Sequence, residues 1–259
     1  LRTDGLKDLK VFDAGDLLMP GGDLVASLAV LREATEKISR AGAIAVVLGG
    51  DHSIASADVA GIANHLGHGK VSMIHFDAHA DTGEDQWGAL VGHGTPMRRL
   101  IDEGYVRGDK FLQLGLRGYW PDNKTLMWMR DQGMRSYEMT EIHHRGLKEV
   151  LDESFATLTD GCDGVFLSVD IDVVDPGMAP GTGTPEPGGM TSRELLEAVR
   201  RICLELPVVG IDVVEVAPAF DSADITAILA NRVVLEALSA IAKRRNGSPY
   251  DPKQNLLDR

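Results

Sequence analysis

Three short stretches of this 259-residue chain carry the residue types that bind hard cations. They are Gly49-Gly50-Asp51-His52-Ser53, then Val71-Ser72-Met73-Ile74-His75-Phe76-Asp77-Ala78-His79-Ala80-Asp81, then Ser168-Val169-Asp170-Ile171-Asp172. The second begins as an apolar run of strand length and ends in acid, histidine, acid, each two residues apart. Residues i, i+2 and i+4 of an extended chain project from one face, so Asp77, His79 and Asp81 are predicted to point the same way. Asp170 and Asp172 repeat the i, i+2 spacing. With His52 the set comprises four carboxylates and two imidazoles. So many acids in one partly dry cleft repel one another, and protonation is forced unless cations are present. Two divalent ions cancel that charge. Oxygen-rich ligation with histidine suits Mn²⁺ better than a thiolate-rich zinc site would, and the same donors accept Ni²⁺, Co²⁺ or Zn²⁺. Two ions sharing carboxylates lie roughly 3.5–4 Å apart, close enough for a bridging hydroxide.

Such a site needs strands to deliver these groups to one place. Short strands are predicted at Lys10–Ala14, Ala43–Leu48, Val71–Phe76, Lys110–Leu114, Met134–Tyr137, Gly164–Asp170 and Pro207–Val214, mostly as continuous apolar runs typical of a parallel sheet covered on both faces. Between them run helical patterns: a helix capped by Asp23 and ending near Arg40, one reaching Leu66, then Thr95–Glu103, Lys124–Asp131, Leu147–Leu158, Ser192–Leu204 and Ala223–Lys243. Strand–helix alternation means a mainly parallel sheet with helices on both faces. Parallel strands bring their C-terminal ends together, where ligands bind in open α/β sheets. The Gly- and Pro-rich run from Pro180 to Gly189 reads as a loop or lid. One domain over 1–259 is expected, with a polar tail at 244–259.

A net charge of −13 argues against nucleic acid and anionic membranes as partners. Cys162 and Cys203 form no disulfide framework, no signal-peptide pattern opens the chain, and no apolar run reads as a membrane span, so a cytoplasmic protein is expected. Of the other histidines, His75 reads as a core or supporting residue, and His143 and His144 as surface residues.

The three stretches, together with Asp175-Pro176 and Pro180-Gly181-Thr182-Gly183-Thr184-Pro185, resemble the signatures of the ureohydrolase (arginase/agmatinase) family. The resemblance implies a three-layer α/β/α arginase-type fold, two Mn²⁺ ions and metal-dependent hydrolysis of a guanidine to urea and an amine. It places His52 and Asp81 on one ion, His79 and Asp172 on the other, and Asp77 and Asp170 between them. His93, in Gly92-His93-Gly94, stands where the family has its proton-shuttling histidine. Glu215, in Glu215-Val216-Ala217-Pro218, matches the acid that holds the guanidinium, and Thr182, in the Pro/Gly-rich motif, is expected to bind substrate as well. The family commonly forms trimers or hexamers, which makes a homo-oligomer the expectation. Its usual extra N-terminal strand is not found ahead of Lys10–Ala14.

A guanidinium is a resonance-stabilised, permanently charged electrophile, so hydrolysis needs a strong nucleophile, fixed geometry and a protonated leaving group. Glu215 would orient the substrate, Asp81 would relay a proton to the departing nitrogen, and His93 would exchange protons with solvent. Arginases carry Ser-Gly-Asn between the Asp-x-His-x-Asp motif and the shuttle histidine; this chain has Thr82-Gly83-Glu84-Asp85 and on to Gly92 instead. Acids there, Glu84 above all, would repel an α-carboxylate and attract a second cation. Agmatine is therefore the expected substrate, with putrescine and urea as products and a role in polyamine synthesis. The runners-up are guanidinobutyrate, guanidinopropionate and arginine. Competing classes are a two-metal phosphoesterase, for which Arg117 is the only suitably placed base, a one-metal deacetylase, and a metal-binding regulatory relative without turnover.

Overall fold

The computed structural model describes residues 1, 3–247, 250–255 and 257. Its six strands are β1 (Ala45–Leu48), β2 (Val71–Phe76), β3 (Phe111–Leu116), β4 (Arg135–Glu138), β5 (Gly164–Asp170) and β6 (Val208–Val214). They form one sheet in the order β1-β6-β5-β2-β3-β4, and every pairing is parallel. The helices are α1 (Gly5–Asp8), α2 (Leu24–Arg40), α3 (Ala55–Leu66), α4 (Pro96–Asp102), α5 (Asn123–Asp131), α6 (Met139–Arg145), α7 (Leu147–Thr159), α8 (Ser192–Glu205) and α9 (Ile225–Arg245).

Two apolar layers cover the sheet. Ile74, Phe76, Leu114, Leu167 and Val213 pack against α6 to α9, through Ile142, Leu151, Val199 and Val233 among others. Val71, Met73, Phe111 and Phe166 face the other way, onto Val59 and Ile62 of α3 and Met97 and Leu100 of α4. Burial on both faces is why β2, β3 and β5 read as unbroken apolar runs rather than alternating ones. Helix entries follow local chemistry. Asp23 accepts from Ala26 N at the start of α2, and Thr191 with Glu194 forms a capping box on α8.

Three sequence expectations change. Lys10–Ala14 forms no strand; Val11 and Phe12 are 50% and 88% exposed, with no neighbouring strand to pair them. α6, which buries little besides Ile142, was not foreseen. Helix α9, with 21 residues, is long and apolar enough by length and composition alone to span a membrane. In this fold it packs on α8, with Val233, Ala237 and Ala240 in the core. Of the polar tail at 244–259, Ser248, Pro249, Leu256, Asp258 and Arg259 lie outside the described residues. Tyr250 accepts a hydrogen bond from Arg200 at 3.1 Å.

The chain runs from β2 to β3 on one side and from β5 to β6 on the other. The β2/β5 boundary is thus the switch point of the sheet, where a crevice opens beyond the strand ends.

Candidate metal centre

Residues from four neighbouring strand ends converge in that crevice. His52 opens a short 3-10 turn after β1, capped by Asp51, whose carboxylate accepts from Ser53 N at 2.9 Å. Asp77, His79 and Asp81 follow β2, Asp170 ends β5, and Asp172 lies in the turn Ile171–Val173 just beyond. Glu215 follows β6.

Asp77 stands in the middle. Its Oδ2 is 3.0 Å from His52 Nδ1, and its Oδ1 is 3.3 Å from His79 Nδ1. His52 Nδ1 also lies 3.0 Å from Asp81 Oδ2 and 3.3 Å from Asp170 Oδ2, while His79 Nδ1 lies 3.0 Å from Asp172 Oδ2. Two groups of donors able to hold a cation result among the described residues, one of His52, His75, Asp77 and Asp81, the other of Asp77, His79 and Asp172, with the predicted ligand Asp170 in neither. His52 Nδ1 is buried and, among the described residues, makes no hydrogen bond of acceptable geometry. A nitrogen aimed at three carboxylates without bonding any of them fits a cation placed between them. The donor set of oxygens and imidazoles suits a hard or borderline divalent ion.

The convergence does not arise as the i, i+2, i+4 spacing predicted. β2 stops at Phe76, so Asp77, His79 and Asp81 do not share a strand face. Asp81 has φ 51°, a left-handed conformation that folds the chain back and returns its carboxylate to His52. Likewise Asp172 lies past the end of β5, where its Oδ1 accepts from Ala78 N at 3.0 Å and its Oδ2 from Thr184 at 3.2 Å. Room for this comes partly from Gly115, at φ +114°, where a Cβ would stand 2.9 Å from the Asp77 carbonyl oxygen.

His75 also reaches Asp77, at 2.8 Å from Nε2 to Oδ2. Its other nitrogen faces the Gln113 amide at 3.1 Å. That amide must present its NH₂, because the same nitrogen donates to the Ala80 carbonyl at 2.7 Å while Oε1 accepts from Ser136. His75 Nδ1 is therefore an acceptor, Nε2 carries the hydrogen, and the ring is a donor to Asp77. On the far side of His52, Nε2 meets Ser168 Oγ at 2.9 Å, and Ser168 donates to Asp212 Oδ1 at 2.7 Å. Gln113, Ser136, Thr184 and Asp212 were not singled out from the sequence. The one available signal was a lone acid inside the apolar run of β6.

Charges in the site are strongly coupled. Burial opposes protonation of His52, but Asp170, Asp77 and Asp81 prevail and hold it well above the usual imidazole range. Burial likewise opposes His79, and Asp172 and Asp77 push it up to about 11. Asp77 is held well below the usual carboxylate range against burial, by His75, His52 and His79. Burial together with the charges of Asp172 and Asp77 raises Asp170 well above that range, and burial and Asp77 raise Asp172.

A test follows from the signs. His79, raised in the folded chain, contributes stability that is complete below about 6.5 and is lost as pH rises towards about 11. The raised carboxyls Asp170 and Asp172 act in the same direction, keeping protons that the unfolded chain releases. Metal-stripped protein is expected to lose stability between pH 6 and 9, by at most roughly 3 kcal/mol from His79. Divalent ions should remove that decline and release protons on binding. Thermal melts across pH with and without chelator, and calorimetry in buffers of different ionisation enthalpy, read both effects.

The remaining predicted residues lie around this cluster. Glu215, at φ 63°, accepts from His52 N at 2.8 Å through Oε1, and a Cβ on Gly183 would stand 3.8 Å from its Oε2. Burial raises its carboxyl, the amide and ring of His52 act against that, and of the weaker charges Asp51 adds to the rise and His93 opposes it. The His93 turn is pinned on both sides: Gly92 N donates to Thr95 Oγ1 at 3.1 Å and Gly94 N to Gln86 Oε1 at 3.1 Å. Thr182 is buried with its hydroxyl unpartnered among the described residues.

Glu84 departs from expectation. Its carboxylate is ion-paired with Lys124 at the surface, 55% exposed, rather than free at the mouth. Arg117 is also committed elsewhere. It donates to the carbonyls of Gly115, Asp172, Val173, Glu186 and Pro187, tying the Pro/Gly-rich loop to the Asp172 turn. It therefore does not serve as a phosphoryl-binding base. Trp87 and Trp120 are 95% and 72% exposed.

Comparison with known proteins agrees with this geometry. The arginase family model matches residues 1–240. The chain is 39% identical over 235 residues to the mitochondrial agmatinase of Gallus gallus, covering 90% of this chain and 67% of the relative. It is 35% identical over 233 residues to the guanidinobutyrase of Pseudomonas aeruginosa, covering 90% and 72%. Among solved structures, proclavaminate amidino hydrolase from Streptomyces clavuligerus superposes with a TM-score of 0.84 at 35% identity, covering 93% of this chain and 78% of that one. Formimidoylglutamase from Bacillus subtilis gives 0.85 at 33% identity, covering 92% and 73%. The family match and these likenesses run along most of the chain, and the protein belongs to the arginase family.

Proposed function

We propose that this chain hydrolyses a linear guanidine to urea and an amine, with agmatine the first substrate to try and putrescine its amine product. The observation that carries this reading is the buried carboxylate of Asp77, flanked by His52 at 3.0 Å and His79 at 3.3 Å, in a crevice whose rim holds Glu215. In this reading His52 and Asp81 would hold one divalent ion and His79 and Asp172 a second, with Asp77 and Asp170 as the acids the two would share. Mn²⁺ is the expected metal. When bound, such a pair supplies a nucleophilic water at neutral pH and Lewis-acid stabilisation worth several kcal/mol.

The rest belongs to the chain's own side chains. Glu215 receives the planar guanidinium through charge-assisted hydrogen bonds, its carboxylate already oriented by the His52 amide. Holding the substrate carbon over Asp77 makes attack nearly intramolecular. Asp81 accepts the proton of the attacking water and returns it to the departing nitrogen, and His93 exchanges protons with solvent. The loop fastened by Arg117 covers the Asp172 side and limits water there.

The far end of the substrate is decided by the rim. Asp51, exposed beside Glu215, favours an ammonium there, and Arg117, bound to carbonyls, offers no charge to a carboxylate. A second reading, a guanidino acid, is favoured by Lys124, which a substrate carboxylate could engage by displacing Glu84. Relatives named guanidinobutyrase, guanidinopropionase and agmatinase support the guanidine common to both readings. Urea release from agmatine, guanidinobutyrate, guanidinopropionate and arginine, with metal content measured, decides between them. Agmatine is expected to exceed the others at least tenfold in kcat/KM, a difference of about 1.4 kcal/mol. Main activity on a carboxylate-bearing substrate would replace agmatine, and urea from none would remove the proposal.

A further inference from the structure

Beneath the cluster lies an acid that the mechanism does not use. Asp58, in the middle of α3, is wholly buried, and neither of its carboxylate oxygens has a hydrogen-bond partner among the described residues. The same holds for Oδ2 of Asp212, also wholly buried on β6. The packing brings them together. Ile62 sits so close over Gly210 that a Cβ there would fall 2.4 Å from its Cδ1. Asp58 is one helical turn before Ile62, and Asp212 is two residues after Gly210 on the same face of β6. Helix and strand run antiparallel in a βαβ crossover, so Asp58 stands over Asp212. The charged groups that bear on Asp58 are Asp212 and His52; His52 and, from β2, His75 bear on Asp212.

Two dry carboxylates facing each other cannot both stay ionised. Asp212 Oδ1 is occupied as an acceptor, by Ser168 Oγ at 2.7 Å and Val169 N at 3.2 Å. Because Ser168 gives its hydrogen to Asp212, its oxygen can only accept from His52 Nε2, which lies 2.9 Å away. His52 must then carry hydrogen on Nε2, and its Nδ1 is the nitrogen turned to Asp77 and Asp81.

We propose that Asp58 is carried as the neutral acid, donates its hydrogen to Asp212 Oδ2, and through Asp212 and Ser168 keeps His52 Nδ1 turned to the cation site as a positioning residue. Burial raises both carboxyls, but His52, Ser168 and Val169 hold Asp212 down while the Asp212 charge raises Asp58 further, in keeping with this. The positioning role rests on the metal site proposed above; the proton on Asp58 does not.

The test compares wild type, Asp58→Asn and Asp58→Leu as full chains, stripped with chelator and reloaded with Mn²⁺. Asn supplies a donor without needing a proton, whereas Leu supplies none. Folding of the wild type takes up a proton that the unfolded chain lacks above about pH 4, so its stability falls relative to Asp58→Asn as pH rises. In denaturant titrations of stripped protein from pH 5.5 to 8.5, the folded-to-unfolded ratio of Asp58→Asn should gain on wild type as pH rises, by up to about tenfold per pH unit while Asp58 keeps its proton. Mn²⁺ affinity should be kept by Asp58→Asn and weakened about 10–100-fold by Asp58→Leu. A stability gap independent of pH would overturn the proton assignment. Equal Mn²⁺ affinity in the Leu and Asn variants, or none in any of the three, would overturn the positioning role. Only the last of these outcomes also counts against the proposed metal site.

Discussion

Asp77→Ala is expected to empty both halves of the site at once and lower turnover by about 1,000-fold or more, roughly 4 kcal/mol of transition-state stabilisation. Asp77 is the residue that the two groups of donors have in common among the described residues. Asp77 lies 3.0 Å from His52, 3.3 Å from His79 and 2.8 Å from His75, and its Oδ1 also accepts from His79 N. Removing it leaves His52 with Asp81 and Asp170, and His79 with Asp172, so each half keeps part of its donors but loses the one they share. Asp172→Ala, by contrast, should weaken only the His79 half. Metal analysis of the two purified variants checks this directly: near-zero content for Asp77→Ala, a partial loss for Asp172→Ala. Full occupancy in Asp77→Ala would mean that the ions sit elsewhere and would end the two-cluster reading. Stability gives a second readout. Without Asp77 the metal-free imidazoles lose a counter-charge, so the pH-dependent stability assigned to His79 should shrink.

The parts of this site legible in the sequence were those that depend on local order. Apolar runs of strand length with glycine-rich or acidic endings located β1, β2, β5 and β6, and once the strands are parallel their C-terminal ends must meet. His52, Asp77 and Asp170 followed from that alone, whereas Glu215 came from the family resemblance. Asp81 did not follow for the stated reason, because a left-handed residue, not strand alternation, aims its carboxylate. Glu84 was misplaced because its partner, Lys124, lies 40 residues away on a helix whose docking no local pattern specifies. Asp58 drew no notice for a similar reason. An acid in mid-helix ordinarily faces water, and only the crossing of α3 over β6 at Gly210 sets it against Asp212. Lys10–Ala14 shows the opposite failure, a plausible strand pattern that pairs with neither edge strand, β1 nor β4, among the described residues.

Glu215→Gln should leave metal content unchanged and lower kcat/KM by about 10–100-fold, as expected for losing hydrogen bonds between charged groups worth roughly 1.5–3 kcal/mol. The substitution is structurally mild. Glutamine Oε1 can still accept from His52 N, as Glu215 does at 2.8 Å, so the turn at φ 63° has no reason to move. What changes is the second oxygen, which becomes an NH₂ facing a substrate that offers only donors. Because the guanidinium is held before and during attack, the loss should fall mainly on KM, with a smaller part in kcat where orientation is lost. The pH dependence separates this role from a structural one. Burial raises the Glu215 carboxyl above the ordinary glutamate range, so its protonation begins at a higher pH than usual, and wild-type kcat/KM should fall on the acid side through that raised value. The protonated acid and the amide are alike in lacking charge. Glu215→Gln should therefore start low and show a shallower acid limb, the two profiles approaching each other as pH drops. Profiles that stay parallel down to the acid limit, or a Glu215→Gln enzyme with wild-type kcat/KM, would take the guanidinium away from Glu215 and leave it only the task of fixing the His52 amide.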